Sequence, residues 1–75
     1  MNFDQLLDAS GLHCPLPILR TKKVLATMTS GQVLKVLATD PGAAGDFPAF
    51  AKQTGNALLS EEKDGETFIF YMQRK

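Results

Sequence analysis

The chain has one cysteine, one histidine and no tryptophan, and its eight basic side chains are matched by eight acidic ones. A single cysteine excludes an intrachain disulfide and the Cys-x-x-Cys redox chemistry that needs a second thiol to resolve it. One cysteine and one histidine also fall short of the soft ligands of a tetrahedral zinc site, so no metal and no cofactor is expected. Zero net charge argues against direct nucleic-acid binding, which usually shows a basic excess. No apolar run approaches the ~20 residues needed to span a bilayer, and no membrane association is expected. Met1-Asn2-Phe3-Asp4-Gln5 is not the basic, then apolar, opening of an export signal. A free thiol without such a signal points to a reducing, cytoplasmic setting.

What remains is one small domain over residues 1–75. A chain of this size buries only about 60% of its unfolded surface, so stability must come from efficient packing. Asp4 to Ala9 reads as a first strand, broken by Ser10-Gly11. A helix is predicted from about Pro15 to Met28, with Ile18, Leu25 and Met28 on one face, widened by Leu19 and Val24. Gly31 is the expected reversal, and the apolar run Gln32 to Thr39 is typical of an interior strand. After Asp40-Pro41-Gly42 a second helix runs from Ala43 or Asp46 to Thr54, with Phe47 and Phe50 turned to the core. Ala57 to Lys63 and Glu66 to Arg74 form a hairpin around Asp64-Gly65. The order β-α-β-α-β-β, with right-handed crossovers, gives an α/β (α+β) two-layer sandwich: a mixed four-stranded sheet with both helices on one face.

The lone thiol sits where chemistry is expected. Cys14 precedes Pro15-Leu16-Pro17-Ile18, and proline is favoured at the first helical position. Cys14 then reads as the N-cap, with the free amides of Leu16 and Ile18 turned toward the sulfur and two prolines stiffening the support. Such a setting lowers a thiol pKa from about 8.5 to roughly 3.5–7.5. Free cysteines are more usually small buried hydrophobes, but the Cys-Pro-x-Pro context argues for an exposed nucleophile or sulfur carrier. A papain-like pair with His13 is disfavoured, because consecutive side chains point apart.

Leu7-Asp8-Ala9-Ser10-Gly11-Leu12-His13-Cys14-Pro15-Leu16-Pro17 resembles the N-terminal signature of the TusA/SirA-like sulfur carrier proteins. The resemblance continues through Thr39-Asp40-Pro41-Gly42 and Asp46-Phe47-Pro48 to the final hairpin. It implies the same β-α-β-α-β-β fold and a Cys14 that carries sulfane sulfur as a persulfide. It also implies a cysteine desulfurase or rhodanese-type donor and a DsrE-type or other acceptor, in tRNA thiolation, sulfur oxidation or cofactor assembly. Leu16 stands where thiolation members carry an acidic residue, which implies a different partner at that tip.

Several other residues have ordinary readings beside functional ones. His13 is either an exposed loop residue or part of a docking surface. Arg20, Lys22 and Lys23 form either a solvated helix face or a patch that steers an acidic partner. Asp40 and Asp46 are expected to cap turns and the second helix through their carboxylates. The sequence thus predicts a monomeric persulfide carrier acting with partner enzymes. A single-cysteine redox sensor and a non-catalytic RNA-binding or regulatory module are the alternatives.

Overall fold

A computed structural model describes all 75 residues. The elements are β1 (Gln5–Ala9), α1 (Leu16–Ala26), β2 (Val33–Ala38), α2 (Ala43–Thr54), β3 (Ala57–Asp64) and β4 (Thr67–Gln73), the order the sequence predicts. The four strands form one sheet in the order β1-β2-β4-β3. β1 and β2 are parallel, joined through α1, whereas β2–β4 and β3–β4 are antiparallel.

The strand pattern follows from burial on one side. In β2 the side chains of Leu34, Val36 and Ala38 are fully buried, while Val33, Lys35 and Leu37 alternate with them at intermediate exposure. The apolar run there thus has one face in the core and one only partly covered. On the second face, Lys35 Nζ lies 5.2 Å from the Phe3 ring centroid and 5.8 Å from that of Tyr71. The lysine stem and two rings shield this side of the sheet, which no helix covers.

On the other side, Leu25 and Met28 join Ala43, Phe47 and Phe50 of α2 over Leu34, Val36, Ala38, Phe70 and Met72. The expected core roles of Phe47 and Phe50 hold. Phe47 stacks on Phe70 with centroids 4.2 Å apart and planes 8° from parallel. In α1 the inward stripe is Pro17, Thr21 and Leu25, with Ile18 and Val24 partly buried beside it. Leu19, expected to widen that stripe, is exposed because its position falls almost opposite Thr21 on the helical wheel. Thr21 is buried because its hydroxyl donates to the Pro17 carbonyl at 2.8 Å, leaving no unpaired polar atom.

Helix ends account for smaller differences. α1 stops at Ala26, and Thr27 closes it by donating its hydroxyl to Val24 O at 2.7 Å. α2 begins at Ala43 and ends on Gly55, whose φ of 81° is the left-handed conformation that terminates helices. The hairpin turns at Gly65-Glu66, with Asp64 opposite Thr67. Between Leu58 and Ser60 the register of β3 shifts, a bulge the sequence gives no sign of.

Candidate functional site

Parallel pairing of β1 with β2 assembles the site. Ala9 lies beside Ala38, so the loops leaving both strands emerge at the same end of the sheet. The amide of Gly11 donates to Thr39 Oγ1 at 2.8 Å and ties the two loops together. Carboxyl ends of parallel strands are where α/β sheets place ligands and reactive groups. Here they bring the 10–15 loop against the 39–42 loop and the first turn of α2.

Cys14 is exposed, as expected. Its backbone setting differs from the expectation. Pro15, with φ −97° and ψ 16°, is the N-cap of α1, and Cys14 lies one residue outside it, across a cis peptide bond. The Leu16 amide donates to His13 O at 2.8 Å and is not free to face the sulfur. The missing N–H of Pro15 suits the cap as well as the first helical position, and the helix starts one residue later than the sequence predicts.

The electrostatic surroundings also reverse the expectation. Cys14, Asp40 and Asp46 offer a sulfur and two carboxylate oxygens that all lie within 4.8 Å of one another. The thiol pKa is raised above its ordinary value. The Asp46 carboxylate, as acceptor for the thiol proton, is the largest cause; desolvation follows, then the negative charges of Asp46 and Asp40. A helix start does lower a thiol pKa, but here the Leu16 amide is engaged elsewhere and two carboxylates face the sulfur. Three donor atoms are one fewer than a structural zinc site uses.

Neither aspartate does the capping work expected of it. The N-cap of α2 is Gly42, with no side-chain cap hydrogen bond, and only the Asp40 main-chain carbonyl closes that turn, accepting from Ala43 N at 3.0 Å. Gly42 has another use. A Cβ at this position would stand 2.9 Å from Asp40 Oδ2 and 3.6 Å from Asp46 Oδ2, so the bare backbone makes room for both carboxylates. Asp40 is mostly buried, with its side chain 15% exposed, and His13 Nδ1 approaches its Oδ1 at 3.9 Å while staying 89% exposed.

Beside the sulfur lies a shallow depression of about 240 Å³, walled by Pro15, Ile18, Ala49 and Phe50, with Asp46 and Gln53 as its polar members. Phe50 and Gln53 also line an adjoining depression that reaches Lys22, Asn56, Arg74 and Lys75. The groove between the helices therefore runs from an acidic mouth at Cys14 to a basic end. Of the three basic residues singled out in α1, Lys22 lines this groove; Arg20 and Lys23 are exposed and line neither depression. Leu16 and Leu19, 44% and 52% exposed, are apolar tips on the same face of α1, three residues apart.

The chain is similar to known proteins over nearly its whole length. A sequence model of the family described as "Sulfurtransferase TusA" matches residues 5–74. The sulfur carrier protein TusA of Allochromatium vinosum is 62% identical over 73 residues, covering 97% of this chain and 96% of that protein. A putative sulfur carrier protein of Neisseria meningitidis is 55% identical over 71 residues, covering 95% of this chain and 96% of its own. Among solved structures, a SirA-like protein from Desulfitobacterium hafniense superposes with a TM-score of 0.81 at 28% identity, covering 93% of this chain and 96% of that one. On the breadth and identity of these matches, the chain belongs to the TusA sulfurtransferase family.

Proposed function

We propose that this protein is a sulfur carrier: Cys14 accepts sulfane sulfur as a persulfide and passes it to an acceptor thiol. The observation that carries the reading is the placement of the only thiol, exposed at the carboxyl ends of the two parallel strands beside a groove between the helices. The relatives named as sulfur carriers support the same role.

Transfer needs one cysteine on the carrier and one on each partner. The Cys14 thiolate attacks the outer sulfur of a donor persulfide, the donor S–S bond breaks, and the donor leaves as a thiolate. The proton released by Cys14 is recovered by that leaving group. Passing the sulfur on repeats the step with the acceptor as nucleophile and Cys14 as leaving group. No net oxidation occurs. A cysteine desulfurase or rhodanese-type enzyme suits the donor role, and a DsrE-type protein the acceptor role. Docking would use the apolar tips Leu16 and Leu19 with the groove between the helices, and the exposed His13 beside Asp40. A peroxide sensor suits this site less well, because such cysteines are low-pKa thiols and this one is raised.

Intact-protein mass spectrometry after incubation with a cysteine desulfurase and cysteine tests the reading. One sulfur atom, removable by a reducing thiol, should add to the wild type and not to Cys14→Ser. Equal addition to both proteins, or none to either, would sink it.

A further inference from the structure

We propose that Asp46, backed by Asp40, is a positioning residue that holds the proton on Cys14 in the free protein and makes the site selective for sulfur compounds bearing positive charge beside the reacting sulfur. This rests on the carrier reading given above and adds a substrate class to it.

The geometry carries the argument. Two carboxylates converge on one thiol within 4.8 Å, from the β2–α2 loop and from the first turn of α2. Gly42 leaves them the room to do so. Neither is used to cap the helix beside them. No basic residue lines the depression next to the sulfur. From the preceding loop the only titratable group is His13, held at 3.9 Å from Asp40 and open to water. From α1 the nearest charged residue that lines the groove is Lys22, in the adjoining depression. Around Cys14 the field is therefore negative, and a docking molecule completes it best by bringing a cation.

Both halves of the transfer cycle respond to that field. On loading, Cys14 must lose its proton before its sulfur bonds to the donor's outer sulfur. Nearby negative charge opposes that loss until a cation offsets it. On unloading, the Cys14–sulfur bond breaks and Cys14 leaves as a thiolate, and a thiol of higher pKa is a poorer leaving group. The same two carboxylates thus keep the empty carrier quiet and slow the loss of its cargo to stray thiols. A cationic partner relieves both restraints at once.

The test uses the full chain as wild type, Asp46→Asn and Asp40→Asn, and needs no sulfane sulfur. First, the rate of Cys14 alkylation by iodoacetamide is followed across the neutral and alkaline range. The wild-type profile should rise at higher pH than that of free cysteine. Asp46→Asn should move it to lower pH, raising the rate at neutral pH by about three- to fourfold per unit moved, since a tenfold gain in thiolate is partly offset by its lower nucleophilicity. Asp40→Asn should move it the same way by less. Second, thiol–disulfide exchange is measured with cystamine, which is cationic, and with dithiodiglycolate, which is anionic. In each case Cys14 forms a mixed disulfide and one half of the reagent leaves as a thiol carrying the proton.

Wild type should prefer cystamine over dithiodiglycolate more than a free-thiol peptide does. Each Asn variant should slow cystamine and speed dithiodiglycolate by up to about fivefold each, the effect of a unit charge at ~4 Å in water, and so narrow the preference by up to about 25-fold. High salt should narrow it as well. Alkylation profiles of wild type and Asp46→Asn that superimpose, or a charge preference equal to the peptide's, would overturn the proposal. Because neither assay involves persulfide, such a result leaves the carrier reading standing. Conversely, failure to load sulfur on Cys14 would remove the carrier reading without altering these rates.

Discussion

Shortening Phe47 to leucine removes the aromatic half of the contact that seats α2 on the sheet. Phe47 is fully buried and stacks on Phe70 at 4.2 Å between centroids. The substitution keeps an apolar side chain but loses part of the ring's buried surface, a cost of about 1 kcal/mol by area. It also loses an aromatic pair worth about 0.5–1.5 kcal/mol beyond burial. The sum is about 2 kcal/mol, against a total stability of roughly 4–11 kcal/mol for a chain this long. In a domain of 60–100 residues that corresponds to a melting temperature lower by about 8–16 °C. The assay is thermal and urea unfolding, with the urea slope unchanged if the compactness of both states is preserved. Asp46 precedes Phe47 directly, so the alkylation rate of Cys14 should also depart from wild type as the seat loosens. A melting point within about 3 °C of wild type, where 1 kcal/mol is worth about 4–8 °C, would refute this account of how α2 is held.

Other outcomes follow from single contacts. Cys14→Ser should abolish sulfur loading while changing stability by no more than about 0.5 kcal/mol, since the thiol is exposed and packs against nothing essential; chemical denaturation checks the second part. Gly42→Ala should crowd Asp40 Oδ2, which a Cβ would meet at 2.9 Å, and so raise Cys14 alkylation at neutral pH with little effect on melting. Gly55→Ala forces a φ of 81° on a residue with a Cβ and should cost about 1–2 kcal/mol in unfolding experiments. Lys35→Ala should cost about 1 kcal/mol through lost contacts with Phe3 and Tyr71, read as a shift in the urea midpoint.

Local pattern makes the element order legible in the sequence. Asp64-Gly65 marks the hairpin, Gly31 and Gly55 mark reversals, and the alternation of Phe68, Phe70 and Met72 gives the core face of β4. Cys14 stands out by its uniqueness and by the prolines that follow it. What sequence could not supply were its neighbours. Asp40 and Asp46 reach the sulfur only because β1 and β2 pair in parallel and bring distant loops to one end of the sheet. Read locally, an aspartate before Pro41-Gly42 and another in a first helical turn are caps, and a thiol before a helix is activated. The tertiary arrangement replaces both readings with a thiol held by carboxylates. Thr21 carries no apolar signal in the sequence, and its bond to Pro17 O is what permits its burial.

Sulfur taken up and then released by the same atom is the central claim, and a pulse–chase tests it most directly. Wild type and Cys14→Ser are loaded from a cysteine desulfurase with radiolabelled cysteine, freed of donor, and mixed with a DsrE-type acceptor. The account predicts that label appears on wild type alone, is held on the isolated protein, and moves to the acceptor with an equal loss from Cys14. Label that stays on Cys14 in the acceptor's presence, or that reaches the acceptor equally through Cys14→Ser, would contradict it.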